Sequence, residues 1–284
     1  MRIFIAGTTG YIGGAVARVA RAAGHEVFAL AHSETSARQA QTLGYVPQAG
    51  SLTDLAALAG HAGAADAVIH AGFVAGPTGA AADRAATEAM VTALAGSGRP
   101  FLYTSGVWVL GATGAQTADE HTPLAPIPLI AWRAPLEHWL RAAAADGAHA
   151  VILRPGVVYG HGGGIPGRIA AGKLPLVGDG RQRWPVVHVD DLALLYLAAV
   201  ERARPGQVLH GIGGVVRVED LVAAEAVQAP PLRQSLADAG AALGDFAEAL
   251  ALDQDVRSVK TQAALAWRPR TAPMPAFLPA GVAP

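Results

Sequence analysis

The stretch RIFIAGTTGYIGG, residues 2–14, decides the fold of this chain. An apolar run of strand length ends at Gly7, and an Ala-rich stretch of helical length begins at Tyr11. In a strand, turn and helix of this kind, Gly7 permits the tight turn, Gly10 lets the backbone approach a pyrophosphate, and Gly13 lets the helix pack closely on the strand. Peptide N–H groups at the start of the helix would face the phosphates. The stretch therefore predicts a dinucleotide site, the alternative being glycines that merely fit a tight strand-to-helix turn.

Short apolar runs and Ala-rich stretches of helical length alternate up to about residue 155, a pattern typical of parallel strands joined by crossover helices. Several runs are continuously apolar, as expected where helices cover both faces of a sheet. We therefore predict an α/β fold with a doubly wound parallel sheet. The predicted strands are Arg2 to Ala6, Glu26 to Ala31, Tyr45 to Gln48, Ala67 to Ala71, Phe101 to Ser105 and Ala150 to Arg154, and the predicted helices are Tyr11 to Ala23, Glu34 to Leu43, Leu52 to Ala59, Ala80 to Ala95 and Ile130 to Ala145.

The pattern of apolar runs and helical stretches changes after Arg154. The stretch GHGGGIPG, residues 160–167, is rich in glycine and is predicted to be a loop. Shorter elements follow, and they predict a smaller C-terminal lobe interleaved with the first, because Asp191 to Glu201 forms a helix that returns to the main sheet. We expect a dinucleotide-binding domain of residues 1–155 with a returning segment at about 185–210. The substrate-binding lobe would comprise residues 156–184 and 211–284, and its tail, from Pro269 onward, is predicted to be irregular.

Composition excludes several classes of protein. The chain has 21 Lys and Arg against 22 Asp and Glu, so its formal net charge of −1 gives no electrostatic case for binding nucleic acid or a membrane. It contains no Cys, which excludes disulfides, thiol nucleophiles and Cys-based metal sites. No apolar run reaches the ~18 residues of a membrane span. We expect a soluble, cytoplasmic protein with a small-molecule substrate, and we predict no metal site because the histidines lack a convincing ligand spacing.

Several stretches resemble the extended branch of the short-chain dehydrogenase/reductase family, which contains NAD(P)-dependent epimerases and dehydratases. They are GTTGYIG at residues 7–13, DAVIHAG at 66–72, FLYTSG at 101–106, LRPGVVYG at 153–160 and WPVVHVDDLA at 184–193. The resemblance implies a Rossmann-like sheet order, a nicotinamide dinucleotide cofactor and a substrate bound between the main sheet and the smaller lobe. It also implies a homodimer formed through the helices predicted at residues 80–95 and 130–145.

The end of the second strand distinguishes the two nicotinamide dinucleotides. A carboxylate there would bind the ribose 2′-hydroxyl of NAD and repel the 2′-phosphate of NADP. The chain has His32 and Ser33 at this point, with Arg38 one helical turn further on. NADP-preferring relatives usually have Arg where His32 stands, and Ser51 replaces an aspartate that often lies near the adenine. We predict that NADP is preferred over NAD.

The catalytic residues of the family are absent. Members that transfer hydride use a Tyr, a Lys four residues later and a Ser or Thr, and the chain has Leu129, Arg133 and Gly106 at these three positions. No Tyr-x-x-x-Lys occurs anywhere in the sequence. The chain therefore resembles an atypical subgroup that lacks the usual Ser/Tyr/Lys triad.

Two residues are expected to take part in catalysis. Ser105 ends the fifth predicted strand and would orient a substrate carbonyl while solvent or substrate supplies the proton. Thr104, a water or His161 are the alternative donors. Arg133 stays charged, so it would bind the nicotinamide ribose or an anionic substrate, the alternative being a surface ion pair with Glu137. For the cofactor we expect contacts from Gly7, Thr9, Gly10, Tyr11, Ile12, Gly13, His32, Ser33, Arg38, Ser51, Leu52, Ala71, Gly72, Phe73, Thr104, Arg133, Pro155, Val157 and Val158.

Aromatic residues near the predicted strand ends would line a pocket for an apolar substrate. The expected substrate contacts are Trp108, Trp132, His161, Arg183 and Trp184, the alternatives being ordinary packing for the tryptophans, a surface position for the arginine and a solvated loop position for the histidine. We predict an NADP-dependent reductase for a small, largely apolar carbonyl or imine compound. Two alternatives stay open: a dinucleotide-binding sensor without redox turnover, and a non-redox isomerase, cyclase or lyase.

Overall fold

A computed structural model describes residues 1–225 and 231–271 of the chain. The strands are β1 (Arg2–Ala6), β2 (Glu26–Ala31), β3 (Val46–Ala49), β4 (Ala67–His70), β5 (Phe101–Thr104), β6 (Ala150–Pro155), β7 (Val157–Tyr159), β8 (Leu176–Val177), β9 (Arg183–His188), β10 (Val208–Gly211), β11 (Gly214–Arg217) and β12 (Arg233–Gln234). Seven of them form one sheet in the order β10-β6-β5-β4-β1-β2-β3, and β1 to β6 pair in parallel. The predicted α/β fold with a Rossmann-like doubly wound sheet is confirmed.

The helices between these strands follow the predicted order, with shifted ends. Helix α3 begins three residues later than expected because the Asp54 carboxylate accepts a hydrogen bond from the Ala57 N–H, at 3.1 Å, and caps the helix there. The helices are α1 (Tyr11–Ala22), α2 (Glu34–Thr42), α3 (Leu55–Ala64), α4 (Gly79–Ala93), α5 (Arg133–Ala145), α6 (Gly164–Ala170), α7 (Val189–Arg202), α8 (Val218–Glu225), α9 (Leu236–Leu243), α10 (Asp245–Ala251) and α11 (Val259–Leu265).

Two sequence predictions need correction. Residues 160–167 are not all loop, because α6 begins at Gly164. Glycine disfavours a helix by its propensity, but packing requires it in α6. A Cβ on Gly167 would collide with the backbone of Gly162. Helix α5 begins at Arg133 and not at Ile130, because a short 3₁₀ turn, Pro128–Ile130, precedes it. The residues of the predicted irregular tail beyond 271 lie outside the described part of the chain.

The chain divides into two units by its internal contacts. The first comprises Met1–Thr104, Pro135–Leu153 and Ala193–Val208, and the second comprises Ser105–Ala134, Arg154–Leu192 and the residues from Leu209 onward. The core of the first unit includes fully buried residues of β1 and β5, such as Phe4 and Leu102. The assignment of cofactor binding to one lobe and substrate binding to the other stays a prediction.

The second unit has its own small sheet and core. Strand β9 pairs in parallel with β7 and antiparallel with β11. One face packs in an apolar cluster around Trp184, which is 1% exposed. The described end of the chain is fixed to this unit, because the Asp191 carboxylate accepts hydrogen bonds from the N–H groups of Arg270, at 3.0 Å, and Thr271, at 2.8 Å.

Membrane insertion through a helix has no support in the described residues. Among the helices of residues 1–225 and 231–271, none is both long enough and apolar enough to cross a bilayer.

Candidate active site

The turn between β1 and α1 requires glycine. Gly7 has φ of +111°, and a Cβ placed on it would lie 2.6 Å from the Gly72 nitrogen. A Cβ on Gly13 would collide with the Gly7 carbonyl oxygen, so the first turn of α1 packs directly against the end of β1. The motif predicted that glycine is needed at both positions. The structure shows the steric reason, because a Cβ at either position would collide with backbone atoms.

The start of α1 has no side-chain cap. Gly10 occupies the N-cap position with no side chain to cap the helix, and no acidic residue lies in the first turn. The first N–H groups of a helix have no partner within it, and they carry the positive end of its dipole. This end of α1, where Tyr11 and Ile12 follow the glycine turn, is therefore suited to an anion such as a pyrophosphate.

The residues after β2 are polar but largely engaged with each other. The Ser33 hydroxyl accepts a hydrogen bond from the Ser36 N–H, at 3.2 Å, and so caps α2. Arg38 forms an ion pair of 3.4 Å with Glu34 on the surface of α2. His32 is exposed. Exposed ion pairs of this kind contribute at most about 1 kcal/mol, so Arg38 can exchange Glu34 for a ligand phosphate at little cost.

A groove of about 590 Å³ lies between the glycine turn and α2, and it contains an arginine that the sequence analysis missed. Thr8, Thr9 and Gly10 line one side, and Arg18 and Arg38 contribute positive charge. No acidic residue lines the groove. The spacing of Gly10, Gly14 and Arg18 is the signal that could have identified Arg18, because residues four apart share one face of a helix.

The other residues of the first unit predicted to bind the cofactor lie at the ends of β3, β4 and β5. Ser51 Oγ accepts a hydrogen bond from the Thr53 N–H, at 3.2 Å. Phe73 is 50% exposed, an aromatic surface that a bound ligand could cover. Thr104 Oγ1 lies 2.6 Å from the Tyr196 hydroxyl, within hydrogen-bonding distance. The remaining predicted contacts here, Leu52, Ala71 and Gly72, are partly buried.

A buried polar cluster next to these strand ends was also missed. Asp83 is 3% exposed, and its carboxylate accepts a hydrogen bond of 2.6 Å from the Tyr103 hydroxyl. His70 Nε2 lies 3.2 Å from the other carboxylate oxygen. His70 ends the apolar strand β4. A polar residue at such a position is the sequence feature that could have indicated a buried polar cluster.

The predicted catalytic residues lie in the second unit. Ser105 follows β5 directly and is buried. The Arg133 guanidinium lies over the Trp132 ring, 4.4 Å from its centroid, in a cation–π contact. Leu129, which the sequence predicts at the position of the family's tyrosine, packs on an apolar cluster that includes Ile127. Glu137, the partner of Arg133 in the alternative surface ion pair, is 1% exposed.

The side chains predicted to bind substrate have different environments. Trp108 packs its edge against Phe246, with ring centroids 6.2 Å apart, and is partly exposed. His161 is exposed, and its Nε2 lies 2.8 Å from a carboxylate oxygen of Asp190. Trp184 lies within the apolar core of the unit. Pro155, Val157 and Val158, the predicted cofactor contacts in this unit, are buried or partly buried in and after β6.

Arg183 is held in place by its neighbours. Its guanidinium donates to both carboxylate oxygens of Asp253, at 3.1 and 2.6 Å, and to the Gly114 carbonyl, at 2.6 Å. The carboxylate raises the pKa of Arg183, so the guanidinium stays charged. These contacts favour a structural role for Arg183, and burial favours the same for Trp184.

The environment of Tyr159, in β7, also favours a structural role for this residue. Burial, and then the negative charge of Asp191 and Glu225, raises the pKa of its phenol to about 12. Its hydroxyl has no hydrogen-bond partner among residues 1–225 and 231–271. A phenol with so high a pKa is poorly matched to proton transfer near neutral pH.

Comparisons with known families and relatives agree on one group of proteins. A family model described as "NAD dependent epimerase/dehydratase family" matches residues 3–211. An uncharacterised protein of Saccharomyces cerevisiae, YLL056C, is 33% identical over 286 residues, covering 95% of each chain. The 2-alkyl-3-oxoalkanoate reductase of Stenotrophomonas maltophilia is 29% identical, covering 74% of this chain and 68% of the relative. The 3-diazoavenalumate denitrifying reductase of a Streptomyces species is 31% identical, covering 72% and 74%.

Solved structures share the fold at low sequence identity. A dTDP-glucose 4,6-dehydratase from Bacillus anthracis, in complex with NAD, superposes with a TM-score of 0.79 at 15% identity, covering 95% of this chain and 92% of the other. Human epimerase family protein SDR39U1, with NADPH, superposes with a TM-score of 0.73 at 22% identity, covering 95% of each chain.

Proposed function

The chain belongs to the NAD dependent epimerase/dehydratase family, and on that basis we propose that it is an NADP-dependent reductase of a small, largely apolar carbonyl or imine compound. Two relatives named as reductases support the reaction class. The observation that carries the proposal is the groove beside the glycine turn, which is lined by Arg18 and Arg38 and by no acidic residue.

The residues around the turn fit a nicotinamide dinucleotide. Side chains are excluded at Gly7 and Gly13 by the backbone around them, so the first turn of α1 packs directly on the end of β1. The N-terminus of α1, with the positive end of its helix dipole, would then bind the pyrophosphate. Residues near the end of β2 fit the 2′-phosphate of NADP: His32 can donate a hydrogen bond, and Arg38 supplies charge. An acid that would repel this phosphate is missing from the end of β2.

Reduction would take the hydride from the cofactor and, for a carbonyl compound, the proton from solvent, while residues of the chain orient the substrate. When bound, the cofactor supplies a hydride to the substrate. We propose that Ser105 donates a hydrogen bond to the substrate oxygen or nitrogen and so stabilises the charge that develops there. Arg133, which cannot transfer a proton near neutral pH, would bind ribose hydroxyls or an anionic group. An imine suits this site because it can enter already protonated, which relaxes the need for a tyrosine.

The substrate would meet mainly apolar and aromatic surface from the second unit. Trp108 and Trp132 are partly exposed, and His161 is exposed. Such a lining selects small apolar compounds through burial of their surface, with few polar groups for orientation.

The test has a binding arm and a transfer arm. In titrations followed by cofactor fluorescence, NADPH should bind at least about tenfold more tightly than NADH; equal or tighter binding of NADH would contradict the NADP preference. The transfer arm incubates C4-deuterated NADPH with carbonyl and imine panels, and deuterium in a product supports the reductase. Ser105→Ala should then lower turnover while NADPH binding stays intact, and unchanged turnover would remove Ser105 from the mechanism.

The alternative functions are distinguishable in the same experiment. Tight NADPH binding without deuterium transfer to any compound would favour a sensor. Conversion of a compound without net oxidation or reduction would favour an isomerase, cyclase or lyase that uses the same site.

We also propose a homodimer formed through α4 and α5. In the first unit, a groove of about 390 Å³ lies between the C-terminal parts of these helices, and it is lined mainly by small residues around Trp139. Small residues allow helices of a second copy to approach closely. Light scattering should give twice the chain mass, and a monomer mass would refute the dimer.

We also propose that the protein is located in the cytoplasm, and cell fractionation tests this.

A further inference from the structure

Three potential metal ligands meet at one edge of the small sheet in the second unit. They are His161, His188 and Asp190, and one ligand atom from each lies within 4.8 Å of the other two. The Nε2 of His161 is 2.8 Å from Oδ2 of Asp190, and Nδ1 of His188 is 3.7 Å from the same oxygen. None of the three is part of the glycine turn or the arginine-lined groove.

The topology explains why residues far apart in sequence meet here. Strands β7 and β9 run parallel, and Tyr159 is in register with His188. His161 and Asp190 each follow this register pair by two residues, at the same carboxyl edge of the sheet. The sequence analysis treated the histidines singly and predicted no metal site, and the parallel pairing is what brings them together.

The backbone holds His161 in an uncommon conformation. Its φ is +53°, in the left-handed region that residues other than glycine seldom occupy. The preceding residue must be glycine, because a Cβ on Gly160 would collide with the His188 ring. Local strain of this kind persists only where surrounding structure enforces it. The strained residue is the one whose imidazole meets Asp190.

Nδ1 of His188 accepts a hydrogen bond from Asp190. The Asp190 N–H donates to Nδ1 over a long distance, 3.3 Å, so the lone pair of Nδ1 is directed toward Asp190. An imidazole nitrogen binds a metal through such a lone pair, and the ion would displace this long hydrogen bond. The cluster thus offers two imidazole nitrogens and one carboxylate, a ligand set suited to zinc and other late first-row divalent ions.

Two of the three separations between ligand atoms are close to those a metal would impose, and the third, between His161 and His188, is at most 4.8 Å. Tetrahedral Zn²⁺ with bonds of about 2.0–2.1 Å holds its ligand atoms about 3.3 Å apart. The two separations given above are 2.8 and 3.7 Å, so each must change by only about half an ångström to fit. His161 is exposed and Asp190 partly so, which leaves coordination positions open to water.

We propose that His161, His188 and Asp190 form a binding site for a divalent transition metal, with Zn²⁺ as the best fit. The ion would join the glycine-rich turn before α6 to the first turn of α7. Its open positions would take water or an oxygen ligand such as a carbonyl or carboxylate. This proposal stands whether or not the protein is a reductase, because it depends only on the three ligands.

The test uses tag-free, chelator-treated full-length protein titrated with Zn²⁺ by calorimetry and with Co²⁺ by visible absorption. One ion should bind per chain, Co²⁺ should develop ligand-field bands typical of nitrogen and oxygen ligands, and Zn²⁺ should raise the unfolding temperature. Asp190→Asn and His161→Gly should each weaken binding at least about tenfold. His138→Ala, which removes an exposed histidine on α5, is the matched control and should bind as the unaltered chain does.

His161→Gly also separates loss of binding from loss of folding. Glycine accepts a positive φ without strain, so this variant should unfold without metal at the same temperature as the unaltered chain or higher. A folded His161→Gly protein that no longer responds to Zn²⁺ supports the site. Undetectable binding to the unaltered chain, or binding of equal strength in all variants, would overturn it.

Discussion

Arg183 and Asp253 form a two-pronged ion pair in the second unit, with Nε of the arginine 3.1 Å from Oδ1 and Nη2 2.6 Å from Oδ2. The Arg183 side chain is 9% exposed and the Asp253 side chain 38%. The arginine also donates to the carbonyl of Gly114, so one side chain joins three segments that are distant in sequence.

Arg183→Met should therefore destabilise the protein. Removal of one partner from a buried pair costs about 3–5 kcal/mol, and partial exposure of Asp253 reduces the expected loss to about 1–3 kcal/mol. Urea unfolding measures the difference. Arg181→Ala, which removes an exposed arginine two residues away, should change stability by less than about 0.5 kcal/mol. An Arg183 variant of unaltered stability and raised substrate KM would instead make Arg183 a substrate contact.

The same pair predicts how stability depends on pH. Burial raises the pKa of Asp253, but the hydrogen bonds and charge of Arg183 outweigh this and lower the pKa below its ordinary value. The native carboxylate thus holds fewer protons than the unfolded one, so its contribution is present above the unfolded pKa of about 3.9 and is lost as the pH falls through the native value. Melting temperatures measured from about pH 6 down to about pH 3 should decline less steeply for Asp253→Asn than for the unaltered chain. Parallel declines would mean that the pair is not linked to folding.

Gly13→Ala should affect both folding and cofactor binding. Its Cβ would collide with the Gly7 carbonyl oxygen, which is backbone and cannot move without shifting the turn. We expect a loss of about 1–3 kcal/mol in stability, as for overpacking, and NADPH binding weakened at least about tenfold.

Gly60→Ala is the control for this substitution. Gly60 lies inside α3, and nothing lies within 4 Å of a Cβ placed on it. Because alanine favours helix, the control should gain about 0.5–1 kcal/mol in stability and bind NADPH unchanged. Calorimetry and NADPH titration of both variants check the pair, and a Gly13→Ala protein that binds NADPH normally would contradict our reading of the turn.

Local signals in the sequence predicted the sheet and the glycine turn. The apolar runs and the spacing of Gly7, Gly10 and Gly13 depend on residues close together in the chain, so their consequences could be derived without a structure. Helix α6 was missed because its glycines disfavour a helix by propensity, and tertiary packing overrides propensity.

Contacts between distant residues could not be predicted in this way. The Gln254 side chain donates to the carbonyls of Val107 and Gly111, at 2.9 and 2.7 Å, which fixes a turn more than a hundred residues earlier in the chain. His161, His188 and Asp190 likewise meet only through the pairing of β7 with β9. Arg18 is an intermediate case: its helical spacing from Gly10 is local, but its value for binding depends on the groove against α2.

Arg18 gives the sharpest test of cofactor preference. It lines the groove beside the glycine turn, and its positive charge favours the 2′-phosphate that only NADP carries. Arg18→Ala should weaken NADPH binding about tenfold, equivalent to about 1.4 kcal/mol, and leave NADH binding nearly unchanged, because NADH lacks the phosphate. Arg38→Ala should act in the same direction, and the double variant should bind the two cofactors almost equally. Arg21→Ala removes the same charge from the same helix at a position outside the groove, so it should keep the NADPH preference. Equal losses of NADPH and NADH affinity in Arg18→Ala would show that Arg18 supports the fold of the turn and does not recognise the phosphate.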